Sequence, residues 1–192
     1  MKIGVLASQG AFREHIEKLR QLGVEATPVR MPEELKGLDG LIIPGGESTS
    51  IGRLMRDYKL TQAIRNMVKK GMPVFGTCAG MILLAKESTD ASFESLGLMD
   101  ITVRRNAFGR QRESFETELN VPVLGKKPFP GVFIRAPLIE QVDGNVEVLA
   151  RLADGTIVAA REDKMLALAF HPELTDDLRF HRYFLRLLPE KE

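Results

Sequence analysis

Cys78 is the only cysteine of the 192-residue chain, and it stands in the stretch Gly71 to Ala85, GMPVFGTCAGMILLA. Pro73 to Gly76 reads as the end of a short buried strand, and Ala79 to Ala85 as an apolar helix that begins at once. Glycines at 76 and 80 allow a sharp strand-to-helix reversal that strains and exposes the residue at its apex. That is a nucleophile elbow with sulfur in place of oxygen. At the first turn of a helix, unpaired N–H groups and the helix dipole favour the thiolate, the reactive form. A lone cysteine is otherwise a small buried hydrophobe, so the chemistry requires a base elsewhere in the chain.

His171-Pro172-Glu173 supplies one, at the end of a predicted strand over Leu166 to Phe170. Residues two apart in an extended segment lie on the same side, so Glu173 can accept the proton of one ring nitrogen while the other faces the nucleophile. A fixed tautomer is what a general base for Cys78 needs. Cys78, His171 and Glu173 are therefore the candidate catalytic residues. His15 lies one position off the apolar stripe of its helix and reads as a surface or helix-edge residue. His181 reads as structural or exposed.

The elements that must position these groups follow from hydrophobic periodicity. Lys2 to Ala7 is the apolar run of a central parallel strand; Phe12, Ile16, Leu19 and Leu22 form a helical stripe ending at Gly23; Val24 to Val29 and Leu41 to Ile43 read as further strands. Such alternation predicts a doubly wound α/β sheet with its ligand site beyond the carboxyl ends of the strands. Three polar clusters fall there: Ser8-Gln9-Gly10, Gly45-Gly46-Glu47-Ser48-Thr49 and Thr77-Cys78-Ala79. The paired glycines let backbone N–H groups approach a ligand, as an oxyanion hole requires, and Ser48 or Thr49 would cap the next helix. No Gly-Lys-Ser/Thr follows, so this is not a phosphate-binding P-loop.

Ile51, Leu54, Met55 and Tyr58 give the next helix a buried face, and Ala63, Ile64, Met67 and Val68 give another. Met67, Met72 and Met81 read as core filler. From Gly97 onward, short alternating runs (Leu98 to Val103, Phe115 to Leu119, Val132 to Ile134, Val146 to Leu149, Ile157 to Ala160) predict antiparallel strands added to or packed beside the parallel core. Asp176 to Leu188 reads as a closing helix with Leu178, Phe184, Leu185 and Leu188 inward. The expected fold is α/β, a doubly wound mostly parallel sheet with flanking helices and added antiparallel strands, as a single domain over residues 1–192.

A 44% hydrophobic and 28% charged composition is ordinary for a globular chain, and a net charge of +1 gives no reason to expect nucleic acid or an anionic membrane as partner. Arg104 to Arg112 is the most basic segment; it reads as a solvated loop, as an RNA contact, or as an anchor for a small carboxylate. There is no membrane-length apolar run, and Met1 leads straight into a strand, so a cytoplasmic protein is expected. One cysteine and three scattered histidines make no zinc pattern, and neither metal nor cofactor is expected.

Gly76-Thr77-Cys78-Ala79-Gly80 with His171-Pro172-Glu173 far downstream resembles the class I, or triad, glutamine amidotransferases. Gly4 to Ala11, Pro44 to Thr49, Arg105 to Gln111, Phe133 to Pro137 and Ala169 to Leu174 narrow the resemblance to the glutaminase subunits of pyridoxal 5'-phosphate synthases. The resemblance implies hydrolysis of L-glutamine to L-glutamate and ammonia, with ammonia passed to a separate synthase subunit in a hetero-oligomer that makes the B6 cofactor. It further implies that Gly46, Glu47, Ser48, Arg105, Ile134 and Arg135 hold glutamine, and that the N–H groups of Gly46 and Ala79 form the oxyanion hole. Ser8 departs from the leucine usual in that family. Two other readings stay open at this point: another cysteine-nucleophile amidase on the same fold, and a non-catalytic regulatory subunit.

Overall fold

The computed structural model describes residues 1–89, 93–109 and 113–189. Strand β1 (Lys2–Leu6) is buried along nearly its whole length and pairs in parallel with β2 (Glu25–Val29) on one side and β3 (Gly40–Ile43) on the other. Helix α1 (Phe12–Gln21) makes the first crossover. Helices α2 (Ser48–Asp57) and α3 (Leu60–Lys69) lead from β3 to β4 (Val74–Thr77), again parallel. Helix α4 (Ala79–Leu84) follows β4 with one residue between them.

The remaining strands are β5 (Ala85–Ser88), β6 (Met99–Arg104), β7 (Ser114–Leu119), β8 (Phe129–Ile134), β9 (Leu138–Val142), β10 (Glu147–Arg151), β11 (Ile157–Glu162) and β12 (Met165–Leu168), before helix α5 (Arg179–Leu185). The main sheet runs β2-β1-β3-β4-β12-β11-β9-β6-β5, with β10 alongside β11. Pairing is parallel from β2 through β12 and antiparallel from β12 through β6. Among the described residues, only β7 and β8 form a separate antiparallel ribbon, closed by a stacked Phe115–Phe133 pair with ring centroids 4.6 Å apart. The expected antiparallel strands thus take both forms: most extend the parallel core, and one pair packs beside it.

Alternation along β4 assigns its faces. Phe75 meets His15 of α1 and both His181 and Phe184 of α5 on one side, while Gly76 abuts Gly80 and Leu84 of α4 on the other. Helices therefore cover both faces, as the doubly wound pattern requires.

Several local expectations are corrected. Ala85 begins β5 rather than ending the helix, because its segment pairs with β6; nothing in the polar run Ala-Lys-Glu-Ser announces a strand. The strand over Leu138–Val142 was not expected at all. The closing helix is only Arg179–Leu185, preceded by a 3-10 turn at Pro172–Leu174 and by Asp177, whose carboxylate accepts the Arg179 N–H at 3.1 Å. Phe180 and Phe184 are its fully buried aromatic side chains, and Leu178 and Leu185 are half-buried. Tyr58 is exposed rather than inward-facing, since α2 ends at Asp57.

Candidate active site

Cys78 sits where β4 hands over to α4. Its N–H still donates to the Leu168 carbonyl at 2.8 Å, extending the β4–β12 ladder to the nucleophile itself. The residue takes φ 51°, ψ −104°, a backbone state that costs a non-glycine residue about 1–3 kcal/mol and that recurs at functional sites. The flanking glycines are needed for close approach. A Cβ on Gly80 would run into the Ile43 carbonyl, and one on Gly76 would lie 2.6 Å from the Gly80 backbone. Neither glycine takes a positive φ; the strain falls on the cysteine.

Three residues after β12, His171 is fixed by its N–H, which donates to the Val132 carbonyl of β8 at 2.8 Å. Because β4 and β12 are neighbours in the sheet, this places the imidazole beside the thiol. Gly45 leaves room for the ring, since a Cβ there would collide with its Cε1. His171 Nδ1 lies 2.6 Å from Glu173 Oε1, and Glu173 is 2% exposed. Burial opposes a charge on the ring, but hydrogen bonds and charges from Cys78 and Glu173 outweigh it and push the His171 pKa up to about 10. The arrangement holds a proton on His171 at neutral pH, opposite the Cys78 sulfur, which also lies 3.9 Å from the Ile134 carbonyl.

The cleft in front of this pair encloses about 410 Å³. Gly46, Glu47 and Ser48 line it from the β3–α2 turn, Arg105 from the turn after β6, and Ile134 and Arg135 from the end of β8. All six residues expected at the substrate thus share one cleft with Cys78, Ala79 and His171. Ala79 is the first residue of α4, where helix geometry leaves its N–H without an intrahelical partner, free to meet an oxyanion. Arg135 holds φ 42°, and its N–H donates to the Glu113 carbonyl.

Glu47, rather than Ser48 or Thr49, caps α2: its carboxylate accepts from the Thr49 N–H at 2.9 Å and the Ser50 N–H at 2.7 Å. The Ser50 side chain and these N–H groups lower its pKa to about 2 despite partial desolvation, so it is a fixed anion. Arg105 Nη2 reaches the same carboxylate at 3.4 Å, and its guanidinium stands 5.9 Å from the Phe93 ring centroid. A cation held by Glu47 thereby lines the cleft. Within the described part of the basic segment, residues 105–108 form a turn in which Phe108 packs against Phe115 and Phe133 at 5.2 and 6.2 Å, so this aromatic residue lies against the core. Arg110, Gln111 and Arg112 lie outside the described residues.

Gln9, from the first of the polar clusters expected at the strand ends, accepts the Glu47 N–H at 3.0 Å and lines the cleft with Asn106. His15 is fully buried, not at a helix edge, with Nδ1 2.9 Å from His181 Nε2; His181 is fully buried too. The signal was present: His15 stands three residues after Phe12 and four before Leu19, on the stripe itself. Among the described residues no group of three or more His, Cys, Asp or Glu side chains could hold a metal ion, and no helix is long and apolar enough to cross a membrane.

Comparison with known proteins points the same way. The chain is similar to pyridoxal 5'-phosphate synthase subunit PdxT of Carboxydothermus hydrogenoformans, 58% identical over 96% of each chain. It is 60% identical to PdxT of Herpetosiphon aurantiacus, over 97% of this chain and 100% of that one. A crystal structure of a glutamine amidotransferase superposes with TM-score 0.92 at 54% identity, covering 96% of this chain and 97% of the other. The SNO glutamine amidotransferase family model matches residues 5–190. With that match spanning the elbow, the His-Pro-Glu segment and every wall of the cleft, the chain belongs to the SNO glutamine amidotransferase family.

Proposed function

We propose that this chain hydrolyses L-glutamine to L-glutamate and ammonia through a thioester on Cys78, and delivers the ammonia to a separate synthase subunit that makes pyridoxal 5'-phosphate. The observation that carries the reading is the Cys78–His171–Glu173 array on a strained elbow at the mouth of the cleft. Relatives of 58–60% identity named as pyridoxal 5'-phosphate synthase subunits support the pathway and the partner.

Glutamine enters with its α-carboxylate toward Arg105 and its side-chain amide toward Cys78. Gly46, Glu47, Ser48, Ile134 and Arg135 complete its surroundings. The Sγ thiolate attacks the amide carbon, and the carbonyl oxygen becomes an oxyanion held by the N–H groups of Gly46 and Ala79. His171 gives its proton to the departing nitrogen, ammonia leaves, and a glutamyl thioester remains. His171 then takes a proton from water, the resulting hydroxide attacks the thioester, and glutamate departs as the thiolate is restored. Glu173, bonded to Nδ1, keeps the other ring nitrogen on the reacting side and stabilises the imidazolium.

Residues 1–192 act as one glutaminase domain in this scheme, without metal or cofactor. A nucleophile that works only as a reduced thiolate suits the cytoplasm. The test is covalent labelling with a glutamine analogue carrying a diazoketone in place of the amide. One equivalent on the Cys78 peptide, suppressed by excess glutamine, is the expected result; labelling indifferent to glutamine would refute the substrate.

A further inference from the structure

Behind the triad the core holds two more histidines, and hydrolysis as described above uses neither. Glu173 offers two oxygens. Oε1 meets His171, while Oε2 is buried and makes no hydrogen bond, and His15 Nε2 stands 3.4 Å from it. The same Nε2 lies 3.2 Å from Thr77 Oγ1. On its other side His15 Nδ1 is 2.9 Å from His181 Nε2, and His181 Nδ1 is buried without a partner.

Two proton arrangements satisfy the contact between the neutral histidines. If His15 donates from Nδ1, His181 must carry its own proton on Nδ1, a buried N–H with nothing to accept it. The lone pair on His15 Nε2 would then face a carboxylate. If instead His181 donates from Nε2, His15 carries its proton on Nε2, between Thr77 Oγ1 and Glu173 Oε2. All that stays unmatched is a lone pair on His181 Nδ1. Orphaned buried N–H groups are rarer in folded proteins than under-satisfied acceptors, and a donor facing the carboxylate removes a repulsion.

Resting on the glutaminase reading above, we infer that His15 is a positioning residue of this active site: held as its Nε2–H tautomer by His181, it turns that N–H toward Glu173 Oε2 and sets the carboxylate so that Oε1 meets His171. A carboxylate with a donor facing each oxygen is held against swinging away from the imidazole, and such supporting contacts orient the groups that do the chemistry. Both histidines are suited to act as neutral donors. Burial foremost, with the charges of His181 and His171, keeps the His15 pKa well below its ordinary value, and burial with nearby Lys18 brings His181 down to about 3. The polar groups facing the pair are Lys18 from α1, Thr77 from β4, His171 and Glu173 after β12, and each other; Lys18 itself reaches Asp176 at 3.7 Å.

Long-range proton–nitrogen correlation on chain labelled with ¹⁵N-histidine reads the tautomers without any mutation. Near neutral pH, both His15 and His181 are expected as Nε2–H; an Nδ1–H proton on His15 would overturn the inference. Glutamate release, measured with the synthase subunit present, gives the second arm. His15→Phe keeps the volume but removes the donor, and should lower kcat about 10- to 100-fold with KM nearly unchanged. His15→Gln, whose amide N–H reaches toward the Nε2 position, should recover much of the loss. A folded His15→Phe with wild-type kcat contradicts the role while leaving the glutaminase reading intact. An unmutated chain that releases no glutamate overturns both.

Discussion

Cys78 accepts a φ of 51° in a setting where glycine would be at ease, and that strain makes the residue a point of exchange between stability and chemistry. Replacing it with Gly should raise the unfolding free energy above that of Cys78→Ala by about 1 kcal/mol, because strain relief outweighs the added freedom of the unfolded chain. Urea titration of the two variants checks this. Both should lose glutamine turnover by roughly a thousandfold or more, since the chain has no second thiol to take the place of Cys78 beside His171. His171, with its pKa pushed up to about 10, should keep the proton it gives to ammonia through neutral pH. The alkaline limb of kcat/KM should therefore approach pH 10; a limb centred near the ordinary histidine value would show that Cys78 and Glu173 do not hold that proton.

The elbow is an element-scale device, and its tolerance is set by backbone contact. Gly80→Ala would drive a Cβ into the Ile43 carbonyl and push α4 away from β3. A loss of about 2–4 kcal/mol is expected from such overpacking, with glutaminase activity falling at least as steeply, measurable by denaturant titration beside kinetics. Gly76, Cys78 and Gly80 announced this turn in the sequence because a tight reversal restricts residue types. The parallel strands β1 to β4 and α1 were equally legible, since central strands read as apolar runs and amphipathic helices keep their period. What escaped was decided by tertiary contacts. Ala85–Ser88 becomes a strand only because β6 lies beside it, and Glu47 outcompetes the hydroxyl residues as a cap because its carboxylate also meets Arg105. His15 was misplaced because a polar residue on an apolar stripe was taken as off the stripe, when its partners, Thr77 and His181, lie 62 and 166 positions away.

At the scale of the whole molecule, α1 and α5 meet over β4 through two buried neutral histidines, which makes the packing of that layer sensitive to acid. Their folded pKa values lie below the unfolded value of about 6.5, so the unfolded chain takes up protons first as pH drops. Stability is expected to be fully present above that value and to fall progressively as pH drops toward 3, the midpoint for His181. His171 acts with the opposite sign: its contribution is complete below the unfolded value and is lost as pH rises toward 10. Urea midpoints across this range should thus decline on both sides of neutrality, and His181→Leu, if it folds, should flatten the acid side. The measurement that bears most directly on the account is glutamate release from glutamine by the purified chain and by Cys78→Ala, each with the synthase subunit present. Turnover by the unmutated chain and none above background by the variant is the predicted result; turnover retained by Cys78→Ala would contradict the account at its centre.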